Sequence, residues 1–232
     1  MKNQYCCIIP ARQGSKRIKN KNIILINKKP IISYSITTAK RTGLFKKIIV
    51  STDSNKIAKI SKKYGAVVPS LRLKKLSDDK TSSMDVLIDT IKKNKITDEY
   101  VFFIYATNPL MHKSDIIKSF KYLKKLKGDC LISAKEFQSS PLRMFEKRKK
   151  GNYYKFKFKK YQKKNSQDLK KHYYDSGSFY IFKTKELLRK RDFLPSKVVL
   201  YKLKKYSSID LNDYEDLNFL KHLMKYNFKK EL

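Results

Sequence analysis

Apolar strands alternate with amphipathic helices from the N-terminus to residue 134, and this alternation restricts the possible folds more than any other feature. Strands are predicted at 5–9, 47–51, 66–68, 100–105 and 130–134, and helices at 30–42, 56–64, 82–93 and 115–126. Strands connected through helices run parallel in one sheet, with helices on both faces. We therefore predict a mostly parallel, doubly wound α/β sheet. Later strands at 177–182 and 197–203, a helix at 184–189 and a C-terminal helix ending near residue 226 complete it.

The pattern changes between residues 137 and 175, where helical periodicity disappears. Residues 153–158 (YYKFKF) alternate instead in the manner of an antiparallel hairpin. Such a segment could form a lid over an active site or a surface for a second subunit. We predict one α/β domain made of residues 1–136 and 176–232, with 137–175 as an inserted segment of that same domain.

The formal net charge of +36 suggests nucleic-acid binding, because Lys and Arg neutralise phosphates. However, the 56 Lys and Arg residues are spread along the whole chain and are mostly Lys, in a sequence that is also rich in Ile, Asn and Tyr. This composition is typical of a biased genome that places Lys at solvated positions, and no nucleic-acid-binding motif is present. We expect no nucleic-acid partner and keep a basic nucleic-acid-binding protein only as a distant alternative.

Apolar runs and cysteines indicate the cellular compartment. No apolar run approaches the ~18–20 residues that cross a bilayer. Pro10 and Arg12 interrupt the short apolar N-terminus, which argues against a signal peptide. The three cysteines form no CxxC pair and accompany no His cluster, so neither a disulfide framework nor a zinc site is indicated. We expect a cytoplasmic protein with no membrane contact.

The first strand leads into a loop rich in cations and small residues, IIPARQGSKR, which is followed by Lys21-Asn22. In open α/β sheets, ligands bind at the carboxyl ends of the strands. Arg12, Lys16 and Lys21 could neutralise a polyphosphate there, and Gly14 lets backbone N–H groups approach it closely. The alternative is a basic surface turn, and this loop alone does not decide between the two. The patterns GxxxxGK[ST] and GxGxxG are absent, which argues against an ordinary P-loop NTPase or dehydrogenase.

Further polar residues follow the other predicted strands, at the same edge of the sheet. They are Asp53, Arg72, Thr81, Ser82, Ser83, Tyr105, Asn108, Arg143, Asp175 and Asp210. Only eight of the 56 cations are Arg, so the retained arginines at the sheet edge point to a need for the rigid fork that binds phosphate or carboxylate. They are Arg12, Arg17, Arg72 and Arg143. Asp210 could hold Mg²⁺ beside phosphates, although an aspartate that begins a helix is the alternative. This edge favours a nucleoside triphosphate and an acidic substrate.

Six separated motifs span essentially the whole chain: IIPARQGSKR…KN, IIVSTDS, LR…TSS, YATNPL, SQDL…YYDSGSFY and SIDLND. In this order they resemble the motifs of the sialic-acid-type (acylneuraminate) cytidylyltransferases. Within that family, YAT-P after the central strand and SQDL…YxDxGxFY are similar to the branch that uses pseudaminic acid. The resemblance implies a three-layer, Rossmann-like nucleotide-binding sheet. It also implies a homodimer, in which residues 137–175 form the antiparallel dimerisation segment and lean over the partner's active site.

The reaction implied by the resemblance joins CTP to an acidic nine-carbon sugar, a nonulosonic acid, and gives the CMP-sugar and pyrophosphate with Mg²⁺ as cofactor. The nucleotide would contact Ala11, Arg12, Ser15, Lys16, Lys21, Asn22, Arg72, Ser82 and Ser83. The sugar would contact Tyr105, Asn108, Arg143, Gln167, Asp168, Asp175 and Tyr180, with Arg143 at its carboxylate. Catalysis would fall to Arg12, Lys21 and Asp210, and Mg²⁺ would be bound by Asp210 together with Asn212 or Asp213.

The sequence departs from the family pattern at three positions. Gln13 stands where a second glycine is common, and Asn165 stands where many members have an Arg before SQDL. The last motif usually reads Asp-x-Asp but here reads Asp210-Leu211-Asn212, with Asp213 following, so the second metal ligand stays open. The acceptor sugar also stays open, with N-acetylneuraminate, legionaminate and KDO as the alternatives to pseudaminic acid.

Overall fold

A six-stranded sheet forms the centre of the computed structural model, which describes residues 4–149, 151–193 and 195–226. The strands are β1 (Tyr5–Pro10), β2 (Leu25–Ile26), β3 (Lys29–Pro30), β4 (Phe45–Ser51), β5 (Tyr100–Ile104), β6 (Cys130–Glu136), β7 (Phe145–Lys147), β8 (Tyr154–Phe156), β9 (Tyr173–Lys183) and β10 (Val198–Lys202). The sheet order is β10-β6-β9-β5-β1-β4. β9 is antiparallel to β5 and β6, whereas the β1–β4, β1–β5 and β6–β10 pairs are parallel, which confirms the predicted mostly parallel sheet.

Helices cover both faces of this sheet. They are α1 (Ile31–Arg41), α2 (Asn55–Lys63), α3 (Ser83–Lys93), α4 (Lys113–Lys125), α5 (Thr184–Lys190) and α6 (Tyr214–Tyr226). On one face α1, α2 and α4 pack against alternate strand residues such as Cys7 and Phe102. On the other face α3 and α5 pack against Cys6 and Phe103. Successive strand residues point to opposite faces, so neighbouring residues contribute to both cores, and the predicted three layers are confirmed.

A third apolar cluster packs the C-terminal helix α6 against the segment that follows β1. Ile18 and Ile26 from that segment contact Leu217 and Leu220 of α6, and all four side chains are buried. This packing places residues 210–213, which precede α6, beside the cationic loop. The last six residues of the predicted domain, 227–232, lie outside the described residues. Within the part of the chain that is described, no helix combines the length and apolar character that crossing a membrane requires.

The loops that leave the sheet converge at one edge. β1, β4, β5 and β10 end at this edge because they are parallel, and the antiparallel β9 begins there. The sheet therefore gathers residues from distant parts of the chain at a single place, as expected for a ligand site in an open α/β sheet.

The strand predicted at 66–68 is reduced to one isolated bridge. The backbone of Val67 accepts the N–H of Val50 at 2.9 Å and donates to the carbonyl of Ile48 at 2.8 Å. Pro69 follows and has no N–H group, so the ladder cannot continue. The prediction of a strand was wrong at this position.

Residues 137–175 contain short turns and one antiparallel hairpin, formed by β7 and β8. The rings of Phe145 and Phe156 face each other across this hairpin, with centroids 4.3 Å apart. Phe145, Tyr153 and Tyr154 are 59%, 73% and 61% exposed. β9 starts at Tyr173, inside the inserted segment predicted at 137–175, so that segment leads directly into the central sheet.

Candidate active site

A cavity of about 270 Å³ lies at the carboxyl edge of the sheet. Its walls come from the loop after β1, from the region between β4 and α3, from the end of β5 and from the segment before α6. Nine of the residues predicted to contact nucleotide, sugar or metal line it: Arg12, Ser15, Lys16, Lys21, Asn22, Arg72, Ser83, Tyr105 and Asn212. Thr81, predicted at the same edge of the sheet, lines it as well. The topology thus brings together polar side chains from four distant parts of the sequence.

Backbone contacts shape the loop after β1. The N–H of Ala11 donates to the carbonyl of Ser51 at 2.9 Å, which continues the pairing of β1 with β4 by one residue. The side-chain amide of Asn22 donates to the carbonyl of Arg12 at 2.8 Å and closes the loop on itself. Ala11 therefore acts on the site through the backbone, while Asn22 both shapes the loop and lines the cavity.

Lys21 is a half-buried cation of the cavity. Its Nζ donates to the carbonyl of Leu211, which connects the loop after β1 to the segment before α6. Burial lowers the pKa of Lys21, the nearby Asp210 carboxylate raises it, and Arg17 lowers it again. An additional anion close to this ammonium group would stabilise its charged form. Lys21 is therefore well placed to bind an anionic ligand.

Arg72 is the most buried of the cavity cations, with 9% of its surface exposed. One guanidinium nitrogen donates to the carbonyl of Ser51 at 2.9 Å and the other to the carbonyl of Leu76 at 3.4 Å. Its Nε has no hydrogen-bond partner among the described residues, and burial lowers the pKa of the guanidinium. A buried donor without an acceptor is unfavourable by about 1–3 kcal/mol. An acceptor atom of a ligand would remove that penalty.

Tyr105 forms the wall at the end of β5, and Tyr180 packs against it from outside the cavity. The hydroxyls of Tyr105 and Ser83 are 2.9 Å apart and hydrogen-bonded. The buried Tyr180 donates to Asp175 at 2.5 Å, and its ring meets that of Tyr105 edge to face at 6.0 Å. Burial raises the pKa of both tyrosines, so both phenols stay protonated at neutral pH. This wall therefore presents neutral hydroxyl groups, in contrast to the cationic loop opposite.

Asp210 and Asn212 are connected to the cationic loop. The amide nitrogen of Asn212 donates to the carboxylate of Asp210 at 3.1 Å, and its Oδ1 accepts from Arg17 at 2.7 Å. Asp213 has a different role, because its Oδ1 accepts two backbone N–H groups of the first turn of α6 at 3.0 and 2.9 Å. Since this carboxylate caps the helix, the geometry favours Asn212 over Asp213 as the neighbour of Asp210 in a metal site.

Asp210 and Asn212 offer oxygens of the kind that Mg²⁺ binds, but the Oδ1 of Asn212 accepts from Arg17, which a metal ion would have to displace. No group of three or more His, Cys, Asp or Glu residues able to hold a metal occurs in the described ranges. Mg²⁺ is nevertheless usually held by only one or two carboxylates, with substrate phosphates and water completing its shell. The carboxylate of Asp210 and the amide oxygen of Asn212, next to the cationic loop, are consistent with a site of this kind.

Ten predicted site residues do not line the cavity: Ala11, Ser82, Asn108, Arg143, Gln167, Asp168, Asp175, Tyr180, Asp210 and Asp213. Ser82 is the N-cap of α3, where its hydroxyl accepts the N–H of Asp85 at 3.1 Å. Asn108 is buried and donates to the hydroxyl of Ser178 at 2.7 Å, while its Oδ1 finds no partner in the described part of the chain. These two residues support the walls rather than form them.

Four of the ten residues belong to the inserted segment 137–175, and three of them, Arg143, Gln167 and Asp168, precede β9. Arg143 is exposed and donates to the hydroxyl of Ser166 at 3.1 Å and to the carbonyl of Lys164 at 3.0 Å. Gln167 and Asp168 lie exposed in the short turn Ser166–Asp168. The structure thus keeps these residues together but outside the cavity of their own chain.

Two aspartates that the sequence did not single out also line the cavity. The carboxylate of Asp79 pairs with Arg12 at 2.6 Å and with Lys16 at 2.5 Å, and both contacts lower its pKa. The pKa of Asp78 is lowered by hydrogen bonds from Thr81 in its own turn. An Asp-Asp pair inside the LR…TSS motif, in a chain with 20 acids against 56 cations, is the signal that could have identified them.

Comparisons of sequence place the chain among known enzymes. The profile of the family described as Cytidylyltransferase matches residues 6–230. The chain is 38% identical over 231 residues to the pseudaminic acid cytidylyltransferase of Campylobacter jejuni subsp. jejuni serotype O:2, covering 98% of each chain. It is 28% identical over 221 residues to the N-acylneuraminate cytidylyltransferase of Escherichia coli O18:K1:H7, covering 93% of this chain and 51% of that one.

A comparison of structures agrees with this. The solved structure of CMP:2-keto-3-deoxy-manno-octonic acid synthetase complexed with CTP superposes with a TM-score of 0.71 at 15% sequence identity. The match covers 96% of this chain and 98% of that one. At so low an identity the likeness supports the fold, while the sequence relatives and the family profile support the class of activity.

Proposed function

The chain belongs to the cytidylyltransferase family, and on this basis we propose that it transfers the cytidylyl group of CTP to a nonulosonic acid, with pseudaminic acid as the acceptor. The observation that carries the proposal is the presence of Arg12, Lys16, Lys21 and Arg72 around one cavity. Four cations at the carboxyl edge of a parallel sheet suit the charge of a triphosphate. The acceptor follows from the 38% identity to a pseudaminic acid cytidylyltransferase, since the N-acylneuraminate relative is more distant.

The cationic loop would bind the phosphates of CTP, with the cytidine directed toward Arg72 and Ser83. Support for this orientation comes from the Nε of Arg72, which is buried and has no acceptor in the described residues. A carbonyl oxygen of the base is the kind of acceptor that this donor lacks. The hydroxyl of Ser83 lies on the same side, where it already bonds to Tyr105.

The acceptor sugar would lie against Tyr105, at the end of β5. Because the phenol of Tyr105 stays protonated, it can both donate to and accept from sugar hydroxyls. Tyr180 packs against Tyr105 and is itself held by Asp175, so these two residues would keep the wall in place. Arg143 lies outside the cavity of its own chain, and we propose that it reaches the sugar carboxylate bound by a second copy.

The proposed chemistry is an in-line displacement at the α-phosphorus. The oxygen of the sugar's anomeric hydroxyl forms the new bond to the α-phosphorus and loses its proton to solvent, while the bond from that phosphorus to pyrophosphate breaks and pyrophosphate leaves. Arg12, Lys16 and Lys21 would stabilise the charge that develops on the leaving group, and the cavity would hold both reactants in line. Mg²⁺, held by Asp210 and Asn212, would supply further neutralisation of the phosphate charge.

The release of pyrophosphate from CTP, measured with a panel of acidic sugars, tests the proposal. We expect kcat/KM for pseudaminic acid to exceed those for N-acetylneuraminate, legionaminate and KDO by about tenfold or more, because a site built from hydrogen-bonding groups rejects mismatched substituents. A higher kcat/KM for another acid would make that acid the acceptor in place of pseudaminic acid. No turnover with any acid, together with salt-dependent binding of duplex DNA, would favour the nucleic-acid-binding alternative instead.

We further propose that two copies associate through the hairpin of β7 and β8. Phe145, Tyr153 and Tyr154 expose more than half of their surfaces on this one small element. Several exposed aromatic side chains on one element are a candidate interaction site. A two-fold dimer would bury it and would allow Arg143 to approach the second active site.

The mass of the protein in solution checks this association. Light scattering after size-exclusion chromatography should give twice the 27.5 kDa of one chain. Tyr154→Glu should shift the mass to that of a monomer, because a charge cannot be buried there without a partner. The matched variant Tyr122→Glu alters an exposed tyrosine of α4 and should leave the dimer intact. A monomeric wild type, or equal effects of both variants, would contradict the proposal.

A further inference from the structure

The carboxylate of Asp79 forms salt bridges with two of the cations that line the cavity, Arg12 and Lys16. One oxygen of its carboxylate accepts from Arg12 at 2.6 Å, and the other accepts from Lys16 at 2.5 Å. Arg12 also donates at 3.5 Å to the carbonyl of Ser77, in the same loop. The pKa of Asp79 is lowered by the hydrogen bonds from Lys16 and Arg12, so its carboxylate is ionised at neutral pH. The protein thus holds an anionic group of its own among its phosphate-binding cations.

We propose, on the basis of the function argued above, that Asp79 is a positioning residue that holds Arg12 and Lys16 until the triphosphate of CTP displaces it. Carboxylate and phosphate oxygens accept charge-assisted hydrogen bonds from the same donors. The donors that face Asp79 therefore cannot all serve a phosphate group at the same time. Nucleotide binding must release Asp79, and the loop that carries it moves with it.

The solvent exposure of Arg12, Lys16 and Asp79 indicates that a triphosphate can displace the carboxylate of Asp79 from the two cations. The side chains of Arg12, Lys16 and Asp79 are 33%, 80% and 39% exposed. Ion pairs that are this well hydrated contribute little to stability. A triphosphate carries several negative charges and therefore displaces a single carboxylate, but the competition lowers the apparent affinity for the nucleotide. Asp79 orders the cations in advance and weakens nucleotide binding as a result.

Asp78 provides a matched comparison. It lines the same cavity and carries the same charge, but its Oδ1 accepts the N–H groups of Lys80 at 3.1 Å and Thr81 at 2.7 Å. Asp78→Asn removes one negative charge from the cavity, and an asparagine can keep these turn contacts. Any effect shared with Asp79→Asn reflects net charge. Any excess in Asp79→Asn reflects the release of Arg12 and Lys16.

The experiment measures the affinity of the full chain for inorganic pyrophosphate and for CTP by titration calorimetry. Asp79→Asn should tighten pyrophosphate binding about threefold to tenfold, whereas Asp78→Asn should change it by less than about twofold. In a Lys16→Ala background the gain from Asp79→Asn should shrink, because one of the two released cations is missing. Hydrogen exchange of the amides of residues 73–82 gives a second measurement. Pyrophosphate should raise the exchange rate of these amides in the wild type toward the rate seen in Asp79→Asn without ligand.

Two results would overturn the inference and leave the proposed function standing. If Asp79→Asn and Asp78→Asn tightened pyrophosphate binding equally, the change in net charge alone would explain the effect. Weaker pyrophosphate binding by Asp79→Asn would make Asp79 a supporting part of the phosphate site instead of a competitor. If neither the wild type nor any variant bound pyrophosphate or CTP, the proposed function would fail, and the inference about Asp79 would fail with it.

Discussion

Replacing Arg12 with alanine is expected to lower kcat/KM for CTP by about 10²–10³-fold, because it removes a charge-assisted donor where charge develops on the leaving pyrophosphate. Arg12 lines the cavity, and its protein partners are the exposed Asp79 and the carbonyl of Ser77. The loss of such exposed contacts changes stability little. Steady-state release of pyrophosphate measures the effect, and an unchanged thermal unfolding midpoint shows that the variant is folded.

Arg41→Ala is the matched control for this prediction. Arg41 is an exposed residue in the last turn of α1, at the opposite end of that helix from the cavity. The substitution removes the same charge, but exposed charges farther apart than about 10 Å are screened from one another in solution. Arg41→Ala should therefore keep normal kinetics. Near-normal turnover by Arg12→Ala, or an equal loss in both variants, would contradict the role assigned to Arg12.

Asp210→Asn is expected to lower kcat by about 10²-fold or more and to raise the Mg²⁺ concentration needed for half-maximal activity. Since Asn212 is an amide, Asp210 would supply the only formal charge of the proposed protein ligands, and hard cations depend on that charge. A titration of activity with Mg²⁺ gives both numbers. Binding of Mn²⁺, followed by electron paramagnetic resonance, reports the metal affinity independently of turnover.

Asp213→Asn separates the two candidate ligands. An asparagine is as good an N-cap as an aspartate, so α6 should keep its first turn and the protein its stability. If Asp213 serves only as the cap, this variant should retain both its activity and its Mg²⁺ requirement. Loss of activity in Asp213→Asn with little change in Asp210→Asn would assign the metal to Asp213 and contradict our choice.

Much of the fold could be predicted from local patterns, because the spacing of apolar residues in each element indicates which of its faces are buried. The run YVFFI at β5 is apolar throughout, which predicts a strand buried on both faces, and β5 lies inside the sheet between β9 and β1. The run GSFYIF predicts a strand equally well. Its antiparallel insertion between β5 and β6 depends on how the chain returns to the sheet, and no residue within the strand specifies that.

The residues of the site also divide into those that could be predicted from the sequence and those that could not. The cations after β1 could be assigned because a strand followed by a cationic loop has a defined place at the sheet edge. The Asp78-Asp79 pair is visible in the sequence, but its role is not, since an acidic residue in a polar loop has no periodicity and the partners of Asp79 are more than sixty residues away. The role of Arg143 depends on a second chain, which one sequence does not describe.

Gln13 illustrates a departure from a family pattern that the backbone explains. Its N–H donates to a carboxylate oxygen of Asp53 at 2.8 Å, a contact that any residue other than proline can make. Gln13 is not one of the residues with a positive φ, so the position does not need the conformational freedom of glycine. The substitution is therefore compatible with the loop.

The insertion of β9 between β5 and β6 also determines when the sheet can form during synthesis. The groups β4-β1-β5 and β6-β10 are joined in the sheet through β9. When residue 136 has been made, the inner edges of β5 and β6 have no partner until residues 173–183 emerge. Open apolar edges pair readily with other chains, so the nascent protein is most prone to aggregation in this interval. A chain that stopped before Tyr173 would lack both β9 and β10, so the group β4-β1-β5 and the single strand β6 would stay unjoined.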